Sequence, residues 1–222
     1  MHKLEYKFSN NIPNFSCNFC GNCSSFVESV SYASIKNRGC CWYFPRYTLM
    51  DIKNIIGSGN KEFIHKLLNM KDSKIAQYHI DVYGEFDEES YKEFLHNNID
   101  EARDFDYKLF FRLCPFATTA GCSLEFKLRS HPCNFYLCRE VLEMCGSSYD
   151  VYSEERKDYY SYCNYFSETL KYALIDNGVS LVDNPLKALE IIEATDIPDF
   201  LPRKLSPINF NAHPNRDDMV AG

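Results

Sequence analysis

The sequence lacks long hydrophobic runs. No stretch approaches the roughly 18 apolar residues that a membrane-spanning helix needs, and the opening residues MHKLEYKFSNNIPNF contain no apolar run of signal-peptide length. We therefore expect no membrane association and a cytoplasmic location.

Clustered positive charge is also scarce. Lys and Arg total 24 against 31 Asp and Glu, which gives a formal net charge of −7. A protein that binds nucleic acid needs a basic face to neutralise phosphates, so we expect no nucleic-acid partner. The acidic runs DEES and DEARDFD are interpreted as solvated surface.

The chain is long enough, at 222 residues, to bury a hydrophobic core without covalent cross-links. We predict an α+β fold, mostly helical, with a small antiparallel sheet and two cysteine-rich loops around a metal site. Residues 1–196 are predicted to form a single metal-binding domain, with a cysteine-rich core at about 15–140 and a helical carboxy-terminal part at 141–196. Residues 197–222 are predicted to be an irregular tail.

Capping residues and apolar spacing predict the helices. Thr48 is the predicted N-cap of the first, and Gly178 ends the longest, which begins after Ser153. The predicted helices are residues 49–56, 61–70, 88–98 (a short exposed helix or an extended insertion), 133–145, 154–177 and 186–194. Residues up to about Pro45 are predicted to be mainly loops.

Two segments are predicted to be strands. IAQYHIDVYG alternates apolar and polar residues, which is typical of a half-buried strand, and ends at Gly84. FDYKLFFRL is the second predicted strand, and it leads directly into Cys114. Because the two segments bracket an insertion, they are expected to pair as an antiparallel hairpin.

Cysteine is unusually abundant, with eleven residues. An odd number of cysteines in a reducing compartment does not favour a disulfide framework. Nine of them fall in two short segments with nearby Gly or Pro: Cys17, Cys20, Cys23, Cys40 and Cys41, then Cys114, Cys122, Cys133 and Cys138. Thiolates this close together repel one another unless a cation neutralises them, so we interpret all nine as candidate metal ligands. Cys145 and Cys163 are interpreted as small core residues.

These cysteine blocks resemble those of the CxxCxxCC family, also called the YkgJ family, of zinc- or iron-chelating proteins. The match is closest in CPFATTAGCSLEF followed by RSHPCNFYLCRE. In the amino-terminal block, Cys17 and Cys20 match the leading C-x2-C, and the Cys-Cys pair is displaced to Cys40 and Cys41 by an insertion that holds Cys23. The resemblance covers roughly residues 15–140.

The resemblance implies a cysteine-ligated metal, and an all-thiolate set suits either Zn2+ or an iron–sulfur cluster, in one or two sites. The C-x2-C-x2-C run is similar to a ferredoxin run, but Val27 stands where that run has its fourth cysteine. Flagellin lysine N-methylases carry a similar cysteine block. The alternative to a non-catalytic metal-binding protein is therefore an enzyme, either a redox protein or a protein lysine methyltransferase that uses S-adenosylmethionine and acts on a protein substrate.

No catalytic or other cofactor-binding residue can be assigned from the sequence. His131 could replace a thiolate ligand, but a surface position or a supporting position beside the ligands is the preferred interpretation. His65 and His79 lie on predicted regular elements and are interpreted as structural. The glycines in IIGSGNKEF indicate a turn rather than a nucleotide-binding loop.

Overall fold

The amino terminus forms a β-hairpin in a computed structural model of the protein, which describes residues 1–19, 44–97, 107–118 and 121–211. Strand β1 (His2–Ser9) pairs with β2 (Ile12–Cys17) through a two-residue turn. Both turn residues, Asn10 and Asn11, have positive φ, at 50° and 61°. Asn tolerates this conformation better than other non-glycine residues, and such turns match the twist of a hairpin. The prediction of loops in this region was wrong for residues 2–17.

A strand near the carboxy terminus completes this sheet. Strand β10 (Ile208–Phe210) pairs antiparallel with β1, so that the order is β10–β1–β2. The rings of His2, Phe19 and Phe210 pack together at this end of the sheet. The segment after residue 196 is therefore largely irregular but ends in a strand, and residues 212–222 lie outside the described part of the chain.

A second sheet has the order β3–β5–β4 and contains β3 (Arg46–Thr48), β4 (Ser73–Ala76) and β5 (His79–Val82). The prediction of one continuous strand in IAQYHIDVYG was wrong, because Gln77 and Tyr78 form a turn and the segment folds back on itself.

Two further pairs of short strands follow this sheet in sequence. Strand β6 (Glu85–Phe86) pairs with β7 (Arg112–Leu113), and β8 (Ala117–Thr118) pairs with β9 (Gly121–Cys122). The predicted strand FDYKLFFRL is mostly wrong, since Tyr107–Phe111 is a 3-10 helix. The predicted pairing of the two segments was also wrong, because β7 pairs antiparallel with β6, which follows IAQYHIDVYG, while β5 pairs with β3 and β4.

Helices make up about half of the described residues, so the fold is α+β as predicted. In chain order the α-helices are α1 (Leu49–Gly57), α2 (Lys61–Asn69), α3 (Glu88–Asn97), α4 (His131–Phe135), α5 (Arg139–Cys145), α6 (Asp150–Asp176) and α7 (Pro185–Ala194). Within the described ranges, no helix is both long and apolar enough to cross a membrane.

Several predicted helix boundaries are confirmed. Thr48 caps α1, Asn184 caps α7 through the Lys187 amide, and Gly178 follows α6 with φ of 62°. One predicted helix, at 133–145, is instead two, α4 and α5, because the chain is extended between them. The predicted start of the long helix after Ser153 was too late by one turn, since α6 begins at Asp150.

The long helix α6 packs against α1 and α7. Its fully buried positions include Tyr159, Leu170 and Leu174, whereas Tyr162 and Phe166 are half-buried. The core formed with these helices extends to the β1–β2 hairpin and to the second cysteine block, so that the candidate site lies against the core.

Candidate metal centre

Five of the nine candidate ligands lie in described parts of the chain. These are Cys17, Cys114, Cys122, Cys133 and Cys138. The remaining four, Cys20, Cys23, Cys40 and Cys41, lie outside the described residues. The acidic run DEARDFD lies outside them too, whereas the first acidic run is exposed around Glu88 and Glu89 as expected.

Tyr47 is completely buried in β3 and contacts the loop of the second cysteine block through its hydroxyl. Burial raises the pKa of the Tyr47 hydroxyl, and the charges of Cys133, Asp51, Cys114 and Cys122 raise it further. Three cysteines separated by up to 19 sequence positions thus lie near one phenol. We call Cys114, Cys122 and Cys133 the Tyr47 cluster.

The β8–β9 hairpin brings Cys114 and Cys122 toward each other. Cys122 lies opposite Ala117 in the strand register, and the Ala117 amide donates to the carbonyl of Cys114 at 2.9 Å. The hairpin therefore converts a separation of eight residues in sequence into proximity in space.

Polar side chains close the loop between Cys122 and Cys133. The Arg129 guanidinium donates to the Leu124 carbonyl through Nε at 2.9 Å and Nη2 at 2.7 Å. Asn134 Nδ2 donates to the Phe126 carbonyl at 2.8 Å, and the Tyr47 hydroxyl donates to the Leu128 carbonyl at 3.1 Å. Because these carbonyls belong to a loop with little regular structure, the three side chains supply partners that a helix or sheet would otherwise provide.

Ser130 supports the sulfur of Cys133 directly. Its hydroxyl donates to Cys133 Sγ at 3.5 Å, and its carbonyl accepts the Cys133 amide at 3.0 Å. Ser130 is fully buried at the start of α4. A hydrogen bond donated to sulfur favours the thiolate, which is the form that binds metal.

A second group consists of Cys17, Cys138 and Cys145, and we call it the α5 cluster. Cys138 precedes α5 and Cys145 ends it, while Cys17 ends β2. Burial raises the pKa of Cys145 to about 11, and the charges of Cys17 and Cys138 add to the increase. Cys145 is buried as predicted, but its position beside two candidate ligands was not foreseen. Cys138 is the N-cap of α5 and Cys145 is its last residue, so the two cysteines flank one short helix.

The turn after Cys17 directs a backbone amide at its sulfur. The Phe19 amide donates to Cys17 Sγ at 3.4 Å. This bond falls within the C-x2-C turn and, like the Ser130 hydroxyl at Cys133, it stabilises a thiolate. Hydrogen bonds of this kind to metal-bound sulfur adjust the properties of the metal centre.

His131 is buried and paired with a carboxylate. Its Nδ1 lies 3.0 and 3.1 Å from the two carboxylate oxygens of Asp51, and both side chains are about 5% exposed. Burial alone would raise the pKa of Asp51, but the His131 ring and the amides of Thr48 and His131 outweigh it and hold the pKa below its ordinary value. The expectation of a surface position for His131 was wrong, whereas a supporting position beside Cys133 fits the structure.

The other histidines are structural where they are described. His79 Nε2 lies 3.2 Å from Asp81 Oδ2, next to the ion pair of Asp81 with Arg46, and His65 is half-buried on α2. Gly57 and Gly59 form the expected turn after α1, in which Gly59 has φ of 79°.

The described donors suit a soft metal in chemistry but do not by themselves complete a site. Thiols supported by amide and hydroxyl donors fit zinc or iron. Among residues 1–19, 44–97, 107–118 and 121–211, no three His, Cys, Asp or Glu side chains are arranged closely enough to hold one ion. The described cysteines thus lie in two neighbourhoods, the Tyr47 cluster and the α5 cluster.

Two cavities are lined by described residues near α1. One of about 10 Å³, the size of a single water molecule, is bordered by Asp51, His131 and Asn134. A cleft of about 590 Å³ lies between the β1–β2 turn, the end of α1 and the chain after α7, where Lys53 and Phe200 contribute to its wall.

Sequence reasoning missed Tyr47, Asp51 and Ser130 as residues that support the cysteines. The spacing Thr48-x-x-Asp51 signals a capping box, but nothing in it signals the contact with His131, which is 80 residues away. Comparisons with protein-family models, with curated proteins and with solved structures give no match for this chain.

Proposed function

We propose that this protein binds zinc or iron through cysteine thiolates, as a Zn2+ site or an iron–sulfur cluster. The observation that carries the proposal is the Tyr47 cluster, in which Cys114, Cys122 and Cys133 lie around one buried side chain. Inert core thiols have no reason to gather in this way, because each would pack as well alone. The resemblance of the same residues to the YkgJ family supports the same conclusion.

Two sites explain the cysteines better than one. The Tyr47 cluster contains Cys114, Cys122 and Cys133, the α5 cluster contains Cys17 and Cys138 beside Cys145, and the two clusters share no cysteine. We propose that each is the protein's contribution to a separate thiolate site, to which Cys20, Cys23, Cys40 and Cys41 are the remaining candidate ligands.

The chemistry that such a centre supplies depends on the metal. A closed zinc site stabilises loops that have little regular structure, and an iron–sulfur cluster adds electron transfer. Between Cys114 and Ser130, the described residues contain the two-residue strands β8 and β9 and one turn of 3-10 helix, Phe126–Leu128, as their regular structure. A stabilising role for the metal is therefore well suited to this segment. A reducing location such as the cytoplasm would keep the thiols available, and Cys122, Cys145 and Cys163 form no disulfide.

The methyltransferase alternative rests on the similarity of the cysteine block alone. It needs a pocket for S-adenosylmethionine next to the cysteines. The cleft of about 590 Å³ has a suitable volume, but its wall is formed by residues such as Asn11, Lys53 and Phe200 rather than by the cysteines. We therefore favour a metal-binding protein without an assigned reaction.

Cysteine variants test the proposal. We expect Cys133→Ala to lose metal from the Tyr47 cluster and Cys17→Ala to lose it from the α5 cluster, each measured as metal per chain after anaerobic purification. Cys163→Ala is the matched control, because Cys163 is fully buried on α6 and its pKa is raised mainly by burial. Equal metal content in all three variants and the wild type would refute the proposal.

The visible spectrum of the same samples identifies the metal. A brown protein with broad absorption near about 400 nm indicates an iron–sulfur cluster, since Zn2+ has a filled d shell and no such absorption. A colourless protein with stoichiometric zinc indicates a zinc site.

A further inference from the structure

We infer that Asp51 is a positioning residue for the candidate ligand Cys133, acting through the first turn of α4. This inference rests on the proposed function, because it assigns Asp51 a role in the affinity of the thiolate site. Asp51 does not touch the sulfur. It fixes the backbone that carries it.

The contact between Asp51 and α4 uses both backbone and side chain. Asp51 Oδ1 accepts the His131 amide at 2.8 Å, and both carboxylate oxygens lie within hydrogen-bonding distance of His131 Nδ1. The carboxylate is 4% exposed, so these bonds do not compete with solvent. Hydrogen bonds to a buried carboxylate are stronger than those between neutral groups, and this one joins α1 to the start of α4.

Asp51 is itself held in place by the capping box of α1. Its Oδ2 accepts the Thr48 amide at 2.9 Å and the Thr48 hydroxyl at 2.8 Å, and the Asp51 amide donates to Thr48 Oγ1 at 3.2 Å. The carboxylate therefore has little freedom to move. Thr48 follows Tyr47 in sequence. The same short segment therefore contributes the Tyr47 side chain and, through Thr48, the contacts that hold Asp51.

The ring of His131 is confined on its other side by α6. It packs edge-to-face against Tyr160, with ring centroids 4.7 Å apart, and against Tyr159 at 6.2 Å. With the ring fixed by α6 and its Nδ1 and amide fixed by Asp51, the backbone at residue 131 has one position relative to α1.

Ser130 connects His131 to the sulfur of Cys133. Ser130, the residue before His131, accepts the Cys133 amide and donates its hydroxyl to Cys133 Sγ. A displacement of His131 would move Ser130 and would break the bond to sulfur. Residues that orient a ligand in this way typically change metal affinity about 10- to 100-fold when they are replaced.

The test measures Zn2+ affinity by competition with a chromophoric chelator, and the absorption spectrum of the Co2+-loaded protein, which reports the thiolate environment. For Asp51→Ala we expect a Kd for Zn2+ that is about 10- to 100-fold higher, together with a changed Co2+ spectrum. For Asp51→Asn we expect a loss near the lower end of that range, because Oδ1 can still accept the His131 amide.

Asp81→Ala is the matched control. Asp81 is also a buried carboxylate, but its partners are Arg46, His79 and Tyr83. Its replacement should therefore cost stability and leave Zn2+ affinity within about twofold of wild type, a shift of at most about 0.4 kcal/mol. Circular dichroism establishes that each variant is folded.

The outcomes separate this inference from the proposed function. If the wild type binds neither Zn2+ nor Co2+ through thiolates and forms no iron–sulfur cluster, the proposed function fails. If the wild type binds and folded Asp51→Ala binds with the same affinity and spectrum, the inference about Asp51 is wrong. Should Asp51→Ala not fold, Asp51→Asn decides, and wild-type affinity in that variant overturns the inference.

Discussion

A carboxylate in the second turn of α6 shows how much a single buried residue can determine. Glu155 has no exposed side-chain surface, yet it accepts the Tyr6 hydroxyl at 2.5 Å and the Arg203 amide at 3.2 Å. Tyr6 lies on β1 and Arg203 lies in the chain after α7. One carboxylate thereby joins the hairpin, the long helix and the carboxy-terminal segment, and burial together with Glu155 raises the pKa of Tyr6.

Removing the Tyr6 hydroxyl should therefore be costly. We expect Tyr6→Phe to lower the free energy of unfolding by about 1–3 kcal/mol, because it leaves a buried carboxylate oxygen without its donor. Urea denaturation measures the change. The control is Tyr165→Phe, on the helix that carries Glu155. Tyr165 is 69% exposed, so this substitution should change the free energy of unfolding by no more than about 0.5 kcal/mol. Equal effects of the two substitutions would contradict the assignment.

Asp81 provides a test of acid dependence. Burial would raise its pKa, but the Arg46 guanidinium and His79 hold it below the ordinary value. A lowered folded-state pKa means that the stabilisation is present above the ordinary pKa of about 3.9 and is lost as the pH falls through the folded value. We expect the stability advantage of wild type over Asp81→Asn to be constant from about pH 6 to pH 5 and to shrink below the ordinary pKa, as measured by urea denaturation. An advantage that grows in acid would refute the argument.

We expect replacement by alanine to have opposite effects on stability at two glycines, Gly84 and Gly57. A Cβ on Gly84 would meet the Leu113 carbonyl and the Phe44 ring, whereas a Cβ on Gly57 at the end of α1 meets no atom within 4 Å among the described residues. We expect Gly84→Ala to destabilise the protein by about 1–3 kcal/mol through overpacking, and Gly57→Ala to stabilise it by about 0.4–1 kcal/mol through the unfolded chain. Thermal denaturation of both variants measures the signs, and a stabilising Gly84→Ala would contradict the close approach at β7.

Asn11, in the β1–β2 turn, is a position with positive φ where we expect glycine to be less stable than the native residue. Asn11 Nδ2 donates to Asn54 Oδ1 at 3.1 Å and to the Tyr162 hydroxyl at 2.8 Å, and its Oδ1 accepts the Phe200 amide at 2.8 Å. We expect Asn11→Gly to destabilise the protein by about 1–3 kcal/mol despite the favourable backbone, because these partly buried groups lose their partners.

The adjacent exposed turn residue is the control for that test. Asn10→Gly should lie within about 0.5 kcal/mol of wild type, because Asn10 also has positive φ but is exposed. Chemical denaturation compares the two variants, and a neutral Asn11→Gly would show that the side-chain bonds contribute little.

Elements with local signals could be predicted from the sequence, and those specified by distant contacts could not. Thr48 and Asn184-Pro185 act within one turn of the helices that they begin, so α1 and α7 were found. The break between α4 and α5 and the strand β10 depend on partners far along the chain, such as β1 for β10. The Asn10-Asn11 turn is a local signal that was present in the sequence but was not used.

At the scale of the whole molecule, the candidate ligands could be named from spacing but their grouping could not. Spacing linked Cys17 to the first block, and among the described cysteines the structure brings it near Cys145, as it does Cys138. This grouping follows from the packing of β2 against α4 and of α5 against β10, which no sequence pattern encodes. Asp51 and His131 escaped prediction for the same reason.

The central claim is that the cysteines bind metal, and elemental analysis of the anaerobically purified full-length protein tests it most directly. The account predicts stoichiometric zinc or iron in the wild type, unchanged in Cys163→Ala and reduced in Cys133→Ala. Wild-type protein that is folded and contains neither metal, even after incubation with Zn2+ or Fe2+ under reducing conditions, would contradict it.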